Sequence, residues 1–141
     1  MRVMVLVKAS KESEAGVLPE EKLLVEMGKF NEALANAGVL LAGEGLKPTS
    51  NGVRVRFEGE RRDVVSGPFQ SDDLVAGFWI WKVKSMEEAI EWAKRCPNPM
   101  GSGGELEIRP IFEAEDFAPS DPTGELRKAE RELRARVEGK S

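Results

Sequence analysis

The apolar positions along the chain fall into alternating and helical runs whose order predicts an α+β fold. Residues 2 to 8 (Arg2-Val3-Met4-Val5-Leu6-Val7-Lys8) are apolar at every interior position, so both faces of this predicted strand seek burial. From Pro19 the period becomes helical, with Leu23, Met27, Phe30 and Leu34 at i, i+4, i+7 and i+11. Pro19 is read at the first helical position, Glu20 and Glu21 complement the helix dipole, and Gly38 ends the helix. Val39 to Ala42 reads as a short strand, and Gly43 to Pro48 as a loop on the strength of its glycines and proline.

Further on, Val53, Val55 and Phe57 alternate with Arg54 and Arg56, and Asp63-Val64-Val65 returns after Glu58-Gly59-Glu60, which predicts a hairpin. Phe78 to Val83 reads as a central strand, again apolar on both faces. Ser85 with Glu88 three residues on is a capping box, followed by a helix with stripe Met86, Ala89, Ile90 and Ala93, stopped by Pro97. Glu105 to Phe112 supplies a last strand, and Asp121 to Val137 a helix with a thin stripe of Leu126, Ala129, Leu133 and Val137. The order suits a ferredoxin-like β-α-β-β-α-β layer with an extra hairpin, an α+β domain over residues 1–117, and a polar, helical C-terminal extension over 118–141. Two helices cover one face of such a sheet. The other face is expected to be apolar, with Trp79 and Trp81 as its core, and to be closed by a second copy in a homodimer.

Composition narrows the chemistry. The 141 residues contain no His and one Cys, which excludes His-based triads and dyads, multi-thiolate zinc and an internal disulfide. With 21 Lys+Arg against 25 Asp+Glu and a formal charge of -4, nucleic acid is not an expected partner. The apolar run at 3–7 is too short for a signal peptide or a span of roughly 20 residues, so a cytoplasmic protein without membrane attachment is expected. What remains is carboxylate, Arg/Lys, hydroxyl and one thiol.

Several segments resemble the YCII-related domain family, specifically its DGPF subgroup. They are Gly38-Val39-Leu40-Leu41-Ala42-Gly43-Glu44-Gly45-Leu46-Lys47-Pro48, Ser66-Gly67-Pro68-Phe69, Gly77-Phe78-Trp79-Ile80-Trp81 and Ala89-Ile90-Glu91-Trp92-Ala93-Lys94-Arg95-Cys96-Pro97, with the match running over about residues 1 to 117 and ending through Ile108 to Phe112 and Glu115-Asp116-Phe117. The resemblance implies a dimeric α/β barrel. It does not carry a catalytic dyad: Lys22 stands where the better-studied branch has its His, Ser66 replaces the Asp that gives the subgroup its name, and Gln70-Ser71-Asp72-Asp73-Leu74 lacks the subgroup's Lys. The subgroup's frequent association with alternative sigma factors implies a regulatory context.

Among single residues, Glu44 between two glycines is either a general base or ligand-orienting acid, or a solvated turn acid. Gly67 and Phe69 either shape a pocket wall or turn the chain. Glu107 and Arg109 either line a cavity and hold a small anionic ligand through the guanidinium fork, or make cross-strand ion pairs at an edge. Cys96 lies at a helix C-terminus, where the dipole opposes a thiolate, and reads as packing. No metal site and no cofactor is expected. The two functions kept are a dimeric small-molecule-binding or regulatory module, and a His-independent acid–base enzyme of lyase or isomerase type built on Glu44.

Overall fold

The computed structural model describes residues 1–101 and 103–139. Its contacts divide the chain into two compact units, residues 1–110 and residues 111–141. The first holds a four-stranded antiparallel sheet in the order β2-β5-β1-β6, from β1 (Arg2–Lys8), β2 (Leu40–Gly45), β5 (Val75–Lys82) and β6 (Leu106–Pro110). Helices α2 (Glu21–Asn36) and α3 (Met86–Lys94) complete the ferredoxin-like α+β pattern, preceded by a single turn α1 (Lys11–Glu14). Strands β3 (Val53–Glu58) and β4 (Arg61–Ser66) form a separate two-stranded sheet inserted between β2 and β5.

Register explains the core. Val3 opposes Trp81 and Val5 opposes Trp79 across β1 and β5, and opposed residues share a face, so these four side chains lie together under the helices. Phe30 and Leu34 of α2 descend onto them, with the Phe30 ring 5.8 Å from Trp79 and 6.2 Å from Trp81 in edge-on geometry, a type of pair contributing about 0.5–1.5 kcal/mol beyond area burial. The tryptophans therefore belong to the subunit's own core, and their expected place on the uncovered face is corrected. Trp81 is 0% exposed, and strand alternation turns Phe78 and Ile80 outward instead. The open face carries Met4, Leu6, Phe78 and Ile80, all half-buried.

Two boundaries and one cap differ from the sequence expectation. The strand read as ending at Ala42 runs to Gly45, because Gly43 leaves the room that the Trp79 indole fills: a Cβ there would sit 2.7 Å from the Trp79 Cδ1. Helix α2 starts at Glu21 with Glu20 as N-cap, which puts Pro19 outside it. In α3 the Ser85 hydroxyl accepts from the Glu88 N–H at 3.2 Å, but the Glu88 carboxylate accepts from the Lys84 N–H at 2.8 Å rather than closing a reciprocal box. Ile90 is 40% exposed, and Trp92, absent from the expected stripe, packs on the core with Phe30.

The second unit is a 3-10 helix over Ala114–Ser120 followed by α4 (Glu125–Glu138). Residues 121 to 124 precede the helix that was expected to start at Asp121. The buried Asp121 instead receives its first turn, accepting from the backbone N–H groups of Leu126 at 3.2 Å and Arg127 at 2.9 Å and from the Arg127 Nε at 3.0 Å. Burial by itself raises the Asp121 pKa, but the donors from Arg127 and Leu126 outweigh it and bring the carboxyl below its ordinary value. No helix among the described residues is long and apolar enough to cross a membrane.

Candidate functional site

A cavity of about 1090 Å³ opens within the first unit between the N-terminal half of α2, the segment leading into it, and the β2 edge of the sheet. The α2 stripe explains its position. Phe30 and Leu34 are buried on the sheet, whereas Met27 and Leu23, about one and two turns before Phe30, are half-buried and line the cavity. Val17 and Leu18 add apolar wall from the preceding segment, and Gly43, Glu44 and Trp79 contribute from the sheet.

The segment over the cavity is anchored by side chains. Ser10 caps α1, accepting from the Ser13 N–H at 3.1 Å while the Ser13 hydroxyl accepts from the Ser10 N–H at 2.9 Å. Glu14 at the end of that turn accepts from the Thr49 N–H at 3.0 Å and from the Thr49 hydroxyl at 2.6 Å. Gly16, with φ of +86°, turns the chain toward α2 in a conformation that an L side chain rarely adopts. The Thr49 hydroxyl in turn accepts from the Phe69 N–H at 3.0 Å.

This places two of the sequence-selected residues. Gly67, in a cis peptide with Pro68, lies so close to Thr49 that a Cβ would collide with the Thr49 carbonyl oxygen. Phe69 holds Thr49 through its backbone and carries the Arg54 guanidinium 3.9 Å above its ring. Both buttress the anchor of the covering segment, and neither is among the residues lining the cavity.

Glu107 and Arg109 lie elsewhere. They oppose Leu6 and Met4 on the open face of the sheet, and Glu107 pairs with Lys8 at 3.3 Å, with Asp73 on the same ammonium at 3.4 Å. Glu107 is the main group raising the Lys8 pKa. Of the residues selected from the sequence, Glu44 is among those lining the cavity, at the β2 edge where it opposes Phe78 and shares its face, whereas Gly67, Phe69, Glu107 and Arg109 lie away from it. Cys96 lines a separate hollow of about 340 Å³, donates its thiol to the Pro97 carbonyl at 3.2 Å, and is pushed up by burial to about 11.

The lining is mixed in character: acidic Glu12, Glu20, Glu26 and Glu44, basic Lys22 and Lys47, and uncharged polar residues such as Ser13 and Asn31 accompany the apolar side chains. No group of three or more metal-ligating side chains occurs among the described residues. The residue that sequence reasoning missed is Asn31. Its Oδ1 accepts from the Trp79 Nε1–H at 2.9 Å, which ties the helix to the sheet at the cavity wall. A polar side chain immediately beside Phe30 in a helix stripe is the only sequence signal for it, and its partner lies 48 residues away.

The chain is 26% identical over 93 residues to a protein of uncharacterised function from Rhizobium meliloti (strain 1021), a match covering 65% of this chain and 75% of that protein. Among solved structures it is similar to the 5-chloro-2-hydroxyhydroquinone dehydrochlorinase of Burkholderia phenoliruptrix AC1100, in complex with 2,5-dihydroxybenzoquinone, with 14% sequence identity, a TM-score of 0.44, and coverage of 82% of this chain and 98% of that one. The model of the YCII-related domain matches residues 1–115, and the chain belongs to that family.

Proposed function

We propose that this YCII-related protein, of the DGPF type by its Ser66-Gly67-Pro68-Phe69 turn, binds a small organic molecule in the cavity between α2 and the β2 edge, and does so as a homodimer. The observation that carries the reading is the cavity itself. At about 1090 Å³ it lies just above the roughly 300–1,000 Å³ typical of small-molecule sites, and it combines apolar side chains with polar and charged ones. Sequence-distant segments converge on it, and the Glu14–Thr49–Phe69 chain of hydrogen bonds holds its cover in place.

A second reading, acid–base chemistry on the bound molecule, is favoured by Glu44 lining the cavity. A panel of small aromatic and aliphatic compounds screened by thermal unfolding tests the first. A ligand at 100 times its Kd raises the unfolding free energy by about 2.7 kcal/mol, and a panel without any stabilising member at millimolar concentration speaks against the cavity as a site. Glu44→Gln separates the two readings. Loss of any turnover by about 100-fold or more with binding retained assigns the enzyme role to Glu44, and unchanged turnover removes it.

A further inference from the structure

One hydrogen bond fixes the orientation of a polar group in the cavity wall. An indole N–H can only donate, so the Asn31 carboxamide that receives the Trp79 proton at 2.9 Å must present its oxygen to the indole. That fixes the amide orientation and leaves its NH2 as a donor, with no partner among the described residues, on a residue that lines the cavity. The Trp79 ring is itself immobilised, edge-on to Phe30 on one side and against Gly43 on the other, so the amide hangs from a rigid support. A pre-oriented donor beside the apolar side chains of Leu23, Met27 and Trp79 selects an acceptor atom. Acidic residues outnumber basic ones among the lining residues, which disfavours an anion there.

Resting on the small-molecule reading above, we propose that Asn31 is the recognition group of the cavity and that its ligand is a neutral, mainly apolar molecule presenting a carbonyl oxygen to the Asn31 NH2. The small anionic ligand expected from Arg109 is not what this wall fits, since Arg109 opposes Met4 on the open face of the sheet.

Three matched probes test it on the full chain: 2-acetylnaphthalene, 2-ethylnaphthalene and 2-naphthoate, titrated while the Trp79 indole N–H resonance is followed by NMR. The expected result is that the ketone binds about five- to tenfold more tightly than the hydrocarbon, the margin of one neutral hydrogen bond. Asn31→Asp is the matching variant, because at neutral pH a carboxylate still accepts from Trp79 but has no proton to donate. It is expected to abolish that margin while the Trp79 resonance keeps its hydrogen-bonded position. Equal binding of ketone and hydrocarbon by the unaltered protein overturns the role of Asn31 and leaves the cavity reading standing. Tightest binding by the naphthoate overturns the neutral ligand class. Failure of all three to move the Trp79 resonance overturns the cavity reading together with this inference.

Discussion

At the scale of single residues, Gly43 shows how a local signal misleads. Glycines flanking Glu44 read as a loop because nothing nearby explains them; for Gly43 the explanation is Trp79, 36 positions on, whose indole occupies the place of a side chain. Glu44 accordingly sits on an edge strand opposite Phe78 rather than in a turn. Glu44 could be singled out from the sequence as a candidate in one of two readings, whereas Asn31 could not, since its meaning depends on a partner in another element. Gly43→Ala is expected to force the indole aside and to destabilise the fold by about 1–3 kcal/mol, measured by urea denaturation, in line with overpacking of a dense core. A variant as stable as the parent protein disproves the close packing of Gly43 on Trp79.

Elements were legible in proportion to their periodicity. The stripe from Leu23 to Leu34 marks α2, and the apolar runs mark β1 and β5, because packing preserves a repeat of 3.6 or 2 that a sequence displays directly. Ends were less so. The start of α4 is set by Asp121, four residues before the helix, whose carboxylate uses both oxygens to receive N–H groups of the first turn. Since its pKa lies lower in the folded chain than in the unfolded one, the stabilisation it provides is complete above the unfolded value of about 3.9 and disappears as pH falls through the lower folded value. The amides of Leu126 and Arg127, with exchange corrected for intrinsic rate, are therefore expected to stay protected at pH 6 and to lose protection only below about pH 3.9, as the lowered folded value is passed. In Asp121→Asn, with one acceptor oxygen in place of two, protection is expected to be low already at pH 6. Equal protection of parent and variant at pH 6 contradicts the capping role.

At the scale of the whole molecule, the α+β layout follows from the order of elements, but which face each tryptophan takes does not, because both faces of β5 are apolar and only the register with Val3 and Val5 decides it. The half-buried row of Met4, Leu6, Phe78 and Ile80 is the surface proposed to meet a second copy. Sedimentation at micromolar concentration is expected to give twice the 15.5 kDa chain mass, and Ile80→Asp to give the single mass while retaining the fold, since the side chain lies outside the Trp81 core. A monomeric parent protein refutes the assembly. The inserted hairpin, finally, has a closed base: the Gly67 N–H donates to the Gly52 carbonyl at 3.0 Å before either strand begins to extend outward. Its outer reach bears Phe57 at 72% and Val64 at 67% exposure and pairs only with itself. The arm is thus free to grow or shrink during divergence by whole cross-strand pairs, two residues at a time, without shifting the alignment of the four-stranded sheet to which it is attached.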